Sequence, residues 1–544
     1  MIHNTLYFFL FRILPYTRWI FTGLAIIITG GCQFYYLHAR TLRNLYMIYL
    51  SYVMFGALFS YALSNDSPVY LLLIVILSWI VSGLLYCIIP QKKIPTKQNI
   101  YFEFSINGGS LKISNPFRGI CVLGGTGSGK TLSIIKPIIF QLAQKGFTGI
   151  IYDYKKFDLT RCAFNHYLHS SVNLRLVNFF DLDYSHRVNP LSPGLLESPA
   201  YASEAANVLF TNLSYDGFKN GNESYFSEAA EAALSSVIWR LKEDFPDYCN
   251  LPMAISICLN QDYNKIASFI SRNKQAALTG STYIQSLVNP KQAVGVVSTI
   301  SSALRKLAVP EIYYVLSGSD FTLDLNNPDC PTLLCISNNQ KLDKSFSPVI
   351  ALLINMAIKE LNTEGKQQSV ILLDEAATLR IPGLDNVPAT ARENRIVSIL
   401  CFQDLVQGEF LYGRIGRDKL IANLANQFLG RVVEPSTAER YSKVFGKVER
   451  PYTSQTRKSC GWSGKSYTTS LRDVDILRPQ VFMHLKPGEF HGILAEGGNE
   501  TFHVFLKPYK MKDRSLPVIR RITLAHIKSQ FENILSKANW LIEQ

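Results

Sequence analysis

The feature that most restricts what this chain can fold into is a short apolar run, Ile120 to Leu123. It leads into Gly124-Gly125-Thr126-Gly127-Ser128-Gly129-Lys130-Thr131 and then into a helical stretch from Leu132 to Gln144. Strand, glycine loop and helix in direct succession form a phosphate-binding loop in its required setting. The glycines let consecutive backbone N–H groups converge on phosphate oxygens at a helix N-terminus, where the dipole favours negative charge. Lys130 is expected to reach the β and γ phosphates of ATP, and Thr131 to hold Mg2+ through its hydroxyl. A plain glycine-rich turn would need neither the flanking elements nor the Lys-Thr pair.

Such a loop needs a carboxylate site on a neighbouring strand. Ser369-Val370-Ile371-Leu372-Leu373 followed by Asp374-Glu375 supplies it. Asp374, at the strand's carboxyl end, is expected in the Mg2+ shell, and Glu375 beside it can polarise the attacking water. Taken alone, an acidic pair after a buried strand can simply cap the next helix. The following apolar strand, Ile396 to Phe402, ends at Gln403. A polar side chain there can sense the γ phosphate, because doubly wound sheets deliver their active residues at strand carboxyl ends. Ahead of that strand, Ala391-Arg392-Glu393-Asn394-Arg395 offers two guanidiniums. Either is a candidate for a finger donated by an adjacent subunit, with solvated surface charge as the plain alternative.

Ten cysteines lie far apart without the close pairing of a zinc site, and the nine histidines form no helical pair beside a carboxylate. A metal held by thiolate or imidazole therefore has no support. Cys121 and Cys401 sit inside apolar strands, where cysteine acts as a small hydrophobe. The net charge of +14 suits a polyanionic partner or an acidic membrane surface and says nothing about fold.

Residues 1–90 differ from everything after them. Trp19 to Leu37, Leu45 to Leu63 and Val69 to Ile89 are uncharged apolar stretches, each long enough to span a bilayer. A charge at the centre of such a helix would cost roughly 2.5–3.5 kcal/mol, and none is present. Arg40 and Arg43 follow the first stretch and Lys92, Lys93 and Lys97 the third. Positive loops stay in the cytoplasm, so the chain from about Gln91 onward is expected there. Arg12 and Arg18 oppose the external N-terminus that three spans would require. Buried core helices, or a cleaved leader ending at Cys32, are the other readings of this composition.

From Asp374 to Lys447 the chain resembles the type IV coupling proteins of conjugation and type IV secretion. Asp374-Glu375, Ala391-Arg392, the strand to Gln403, Leu411-Tyr412-Gly413, Ile421-Ala422-Asn423 and Ser442-Lys443-Val444-Phe445-Gly446-Lys447 follow that family's order. The phosphate loop, Asp153-Tyr154-Lys155 and Ser319-Asp320-Phe321-Thr322-Leu323 match it as well, so the resemblance runs from about Asn115 to Tyr509. It implies that Arg392 is the finger, acting in trans within a homo-hexamer. It also implies single-stranded DNA with covalently attached relaxase as substrate, relaxosome proteins and type IV secretion channel components as partners, and a seat in the bacterial inner (cytoplasmic) membrane. Two departures stand out. The family usually has Asp-Pro-Lys-Gly-Glu where this chain has Asp153-Tyr154-Lys155-Lys156-Phe157, and it commonly carries two spans.

The expected architecture is α/β, a RecA-like P-loop NTPase core with an all-α insertion domain and N-terminal transmembrane helices. Its parts are an anchor at 1–90, the nucleotide-binding domain at 91–190 and 317–510, the all-α domain at 191–316 and a helical tail at 511–544. The insertion follows from apolar residues recurring at three and four positions, as in Phe226 to Leu241 and Ala293 to Leu307. The resemblance places this domain where the relaxosome and substrate meet the ring. Pro451 to Thr468, polar and carrying Gly461 and Gly464, reads as a loop. Short strands are expected near Gly488 to Phe505. Leu524, Ile527, Phe531, Ile534, Ala538 and Leu541 share one face of a terminal helix suited to packing on the core. A double-stranded DNA translocase of the chromosome-partitioning type would share the anchor and loop, and a substrate-receptor platform would use ATP only for assembly. Leu316-Ser317-Gly318-Ser319 resembles the start of a transporter ATPase signature but lies too far ahead of the carboxylate strand.

Overall fold

The computed structural model describes residues 100–213, 221–457, 465–496, 501–510 and 514–544. The three apolar stretches of residues 1–90 lie outside the described residues, and among the described ones no helix is long and apolar enough to cross a membrane.

The chain opens with an antiparallel hairpin of β1 (Phe102–Ile106) and β2 (Gly109–Ile113). Seven strands then run parallel: β3 (Ile120–Leu123), β4 (Thr148–Asp153), β5 (Asn173–Val177), β6 (Thr332–Ser337), β7 (Ser369–Leu373), β8 (Ile396–Phe402) and β9 (Asn426–Leu429). After the separate ribbon of β10 (Lys447–Arg457) and β11 (Lys465–Asp475), β12 (Glu489–Ile493) and β13 (Thr501–Phe505) add an antiparallel edge. The resulting sheet has nine strands in the order β13-β12-β9-β3-β8-β7-β4-β6-β5.

Every residue of β3, β7 and β8 is buried, as expected of parallel strands covered on both faces. Alternate residues feed two cores. Cys121, Leu123, Ile371, Leu373, Leu400 and Phe402 face one layer with the helix Asp343–Leu361. Ile120, Val122, Val370, Leu372, Ile399 and Cys401 face the other with the helix Lys136–Gln144. That second helix is entered through a wider, π-type turn at Thr131–Ile135. Pro137 explains it, since proline brings no N–H and its ring would clash with the carbonyl four residues back.

Between β5 and β6 the chain forms a run of helices, from Pro199–Leu213 to Pro310–Leu316. Asn250, Asp262, Asn273 and Asn289 start four of them, each side chain accepting a backbone N–H of the first turn. The terminal helix Leu524–Leu541 packs on this helical region rather than on the sheet. Its Ile527, Ile534, Ala538 and Leu541 are buried, and the Phe531 ring lies 4.7 Å from that of Tyr313. Leu524 is left 73% exposed, so the buried face is one turn shorter than the periodicity suggests. Ser317 and Gly318, the fragment resembling a transporter signature, pack against Arg187, whose Nε donates to Tyr314 O at 3.0 Å.

One expectation is overturned. Pro451 to Thr468 does not read as a loop throughout: Lys447–Arg457 and Lys465–Asp475 pair in register as antiparallel strands. Thr453, Tyr452, Tyr467, Thr468 and Thr469 supply the β-favouring side chains. The polar composition hid the strands because both faces of the ribbon are solvated, which removes the apolar alternation that marks a half-buried strand.

Candidate functional site

The loop after β3 is fastened to the strands on both sides. Gly124 N–H donates to Phe402 O at the end of β8 (3.1 Å), and Gly125 N–H donates to Arg431 O just beyond β9 (2.7 Å). Gly127 and Gly129 take φ values of +78° and +96°, which side chains with a Cβ rarely adopt. At Gly129 a Cβ would also stand 2.7 Å from the nitrogen of Gly488, whose N–H donates to Ser128 O at 2.9 Å. The start of β12 thus presses directly on the loop and fixes its shape.

Lys130 is buried, and its Nζ donates to Gly124 O (2.6 Å) and Phe402 O (2.8 Å). Burial pushes its pKa down, while Glu375 and Asp374 push it back up. Those two carboxyls close β7 and are only 3% and 5% exposed. Burial raises both; Glu375 reaches about 7 against the opposing pull of Lys130 and a hydrogen bond from Gln403. The sheet order explains the assembly. β8 lies between β3 and β7, so Gln403 emerges between the loop and the acidic pair. Gln403 N–H donates to Glu375 Oε1 at 3.3 Å, and Thr126 Oγ1 donates to Gln403 Oε1 at 3.3 Å. A continuous chain of contacts therefore joins loop, Gln403 and carboxylate.

These residues fit a nucleotide triphosphate with a divalent cation. The nearly buried carboxyls Asp374 and Glu375, beside the loop, offer the hard oxygen ligands that a divalent cation takes. The buried Ser128 Oγ has no hydrogen-bond partner, and a Cβ at Gly127 would meet nothing within 4 Å, so the cradle is open where phosphate would lie.

Arg392 is not brought to this cluster. It follows the short helix Val387–Ala391 and precedes β8, whereas Gln403 follows it, and the seven-residue strand separates the two. At about 3.3 Å per residue that is roughly 23 Å, beyond the reach of an arginine side chain into its own subunit's site.

Four participants escaped the sequence reading or were left without a role. Arg431 has its carbonyl on the loop and its side chain exposed beside it. Gly488 buttresses Gly129. Asp153, at the end of β4, is fully buried; it accepts from Thr160 N–H and Thr160 Oγ1, both at 2.9 Å, and burial pushes its pKa to about 8. Lys155, exposed just after it, is close enough to lower the pKa of both Asp374 and Lys130. The next residue, Lys156, holds φ +58°. Glycine in the family pattern at this position was the one available signal of that left-handed turn. Arg431 and Gly488 gave none, because their contacts with the loop join segments far apart in sequence.

A family model described as "Type IV secretory system Conjugative DNA transfer" matches residues 87–495. Among solved structures, the bacterial conjugative coupling protein TrwBdeltaN70, in an unbound form, aligns with a TM-score of 0.57 at 16% identity. That alignment covers 77% of this chain and 91% of that one. The plasmid coupling protein TrwB in complex with ADP and Mg2+ aligns with a TM-score of 0.58 at 15% identity, covering 76% and 90%. At these identities the likeness establishes the α/β fold with its large parallel sheet. A search of curated proteins found no match.

Proposed function

The chain belongs to the type IV secretory system conjugative DNA transfer family, and from that premise we propose that it is the coupling ATPase, hydrolysing ATP to pass relaxase-bound single-stranded DNA into the secretion channel. The observation that carries the reading is the contact chain from Thr126 through Gln403 to Glu375, set beside Lys130 at the carboxyl ends of β3, β8 and β7.

Lys130 would hold the β and γ phosphates, and Thr131 with Asp374 would hold Mg2+. Held there, Mg2+ would offset the negative charge that develops in transfer. Glu375, with its pKa raised to about 7, is poised to take a proton from water near neutral pH. Gln403 orients that carboxylate through its N–H, and Thr126 orients the Gln403 amide. Arg392, remote from its own loop, fits a finger presented to the neighbouring subunit of a ring, and a homo-hexamer supplies that geometry. The uncharged stretches of residues 1–90, with Lys92, Lys93 and Lys97 after them, support an inner-membrane anchor with the ATPase on the cytoplasmic side.

Phosphate release by the full chain in detergent, with single-stranded or duplex DNA added, tests the reading. Stimulation by single strands, lost in Lys130→Ala, is expected. Preference for duplex would point to a double-strand translocase. ATP binding with no DNA-stimulated turnover would replace the motor by a receptor platform.

A further inference from the structure

The ribbon of β10 and β11 stands outside the sheet and confines its carboxylates to one face, where Lys447, Arg457 and Lys465 also lie. Its register sets Arg450 directly opposite Arg472 and Tyr452 opposite Ser470, so these four share one face with Ser454 and Thr468. Every carboxylate of the two strands, Glu449, Asp473 and Asp475, is on the opposite face by the same alternation. Like charges directly opposite each other weaken a strand pair, and an isolated two-stranded ribbon is only marginally stable in water. Arg450 and Arg472 nevertheless face one another, both exposed, and neither has an ion-pair partner among the described residues. The Arg472 guanidinium lies 4.1 Å from the centre of the Tyr452 ring, which is itself 50% exposed.

A solvated face with two unneutralised guanidiniums, an exposed aromatic ring, hydroxyls and no carboxylate matches a phosphodiester strand with unpaired bases. Arginines take the phosphates, hydroxyls take phosphate oxygens, and a ring stacks on a base that pairing does not hide. We infer that this face of the ribbon is a docking surface for single-stranded DNA, with Arg450 and Arg472 on the backbone and Tyr452 under a base. The inference rests on reading the chain as a DNA-transfer protein.

The test is fluorescence anisotropy of a labelled single-stranded oligonucleotide with the full chain in detergent, over a salt series. Loss of a phosphate contact flattens the dependence of log affinity on log salt by about 0.7 for single strands. Arg450→Glu/Arg472→Glu is therefore expected to weaken binding and flatten the slope by about 1.4. Tyr452→Ala is expected to weaken binding about fivefold or more with the slope kept. Thr453→Glu/Thr469→Glu, on the opposite face, adds negative charge to the same ribbon and is expected to leave the slope unchanged. Unaltered nucleotide binding in each variant reports an intact sheet. Equal losses from both faces, or no change from the arginine pair, would overturn the docking surface. Absence of binding by the unaltered chain would instead defeat the DNA-transfer reading on which it stands.

Discussion

The carboxyl edge of the sheet and the ribbon of β10 and β11 handle charge in opposite ways. At the sheet edge Lys130, Asp374, Glu375 and Asp153 are buried, held by backbone and side-chain contacts, and shifted in pKa by desolvation. On the ribbon Arg450 and Arg472 remain in water, unshielded and unpaired. Burial suits charges that must keep one geometry through a reaction, since a low dielectric strengthens each contact and fixed dipoles need no reorganisation. Exposure suits charges that must engage and release a moving polyanion, where screening keeps each contact weak.

The sharpest way to break this contrast lies at Arg392. Arg392→Ala is expected to lower turnover by about 10³–10⁵-fold while ATP binding persists. A finger acting in trans, as proposed, would let a mixture of that variant with Lys130→Ala regain part of the activity, measured as phosphate release. Failure of mixtures to recover would place the defect within one subunit.

Stability separates the regions next. Leu372 is wholly buried in β7 and Leu471 is 67% exposed on β11. Leu372→Ala is expected to cost about 2–5 kcal/mol in denaturant unfolding, and Leu471→Ala to stay within about 0.5 kcal/mol. A large loss from Leu471→Ala would mean that the ribbon has a packed partner.

Per pH unit, a more gradual effect comes from Asp153. Asp153 keeps its proton to about 8 when folded, against an ordinary value of 3.8. Unfolding sheds that proton across the window between the two, so stability falls as pH rises through it and levels off above about 8. Asp153→Asn cannot titrate, and its thermal melts are expected to fall less steeply with pH, by at most about 1.4 kcal/mol per pH unit.

Much of the candidate site's local structure was legible because its parts are local: the glycine loop follows its own strand, and Asp374, Glu375 and Gln403 terminate theirs. The order that brings them together was not. That β8 lies between β3 and β7 depends on crossover connections that no local pattern encodes, and the approach of Gly488 and Arg431 to the loop joins distant segments. Lys156 shows a different limit. Its left-handed backbone costs roughly 1–2 kcal/mol for a residue with a Cβ, and a sequence pattern favouring glycine there would not announce that lysine accepts it. The ribbon was missed because alternation marks a strand only when one face is buried.

The central claim is that Glu375, held by Gln403 beside Lys130, takes the proton in ATP hydrolysis. The most direct measurement compares Glu375→Gln with the unaltered full chain for Mg2+-dependent ATP binding and for DNA-stimulated phosphate release. Equal binding is expected, with turnover lower by about 10²–10⁴-fold in the variant; turnover maintained in Glu375→Gln would show that the proton goes elsewhere.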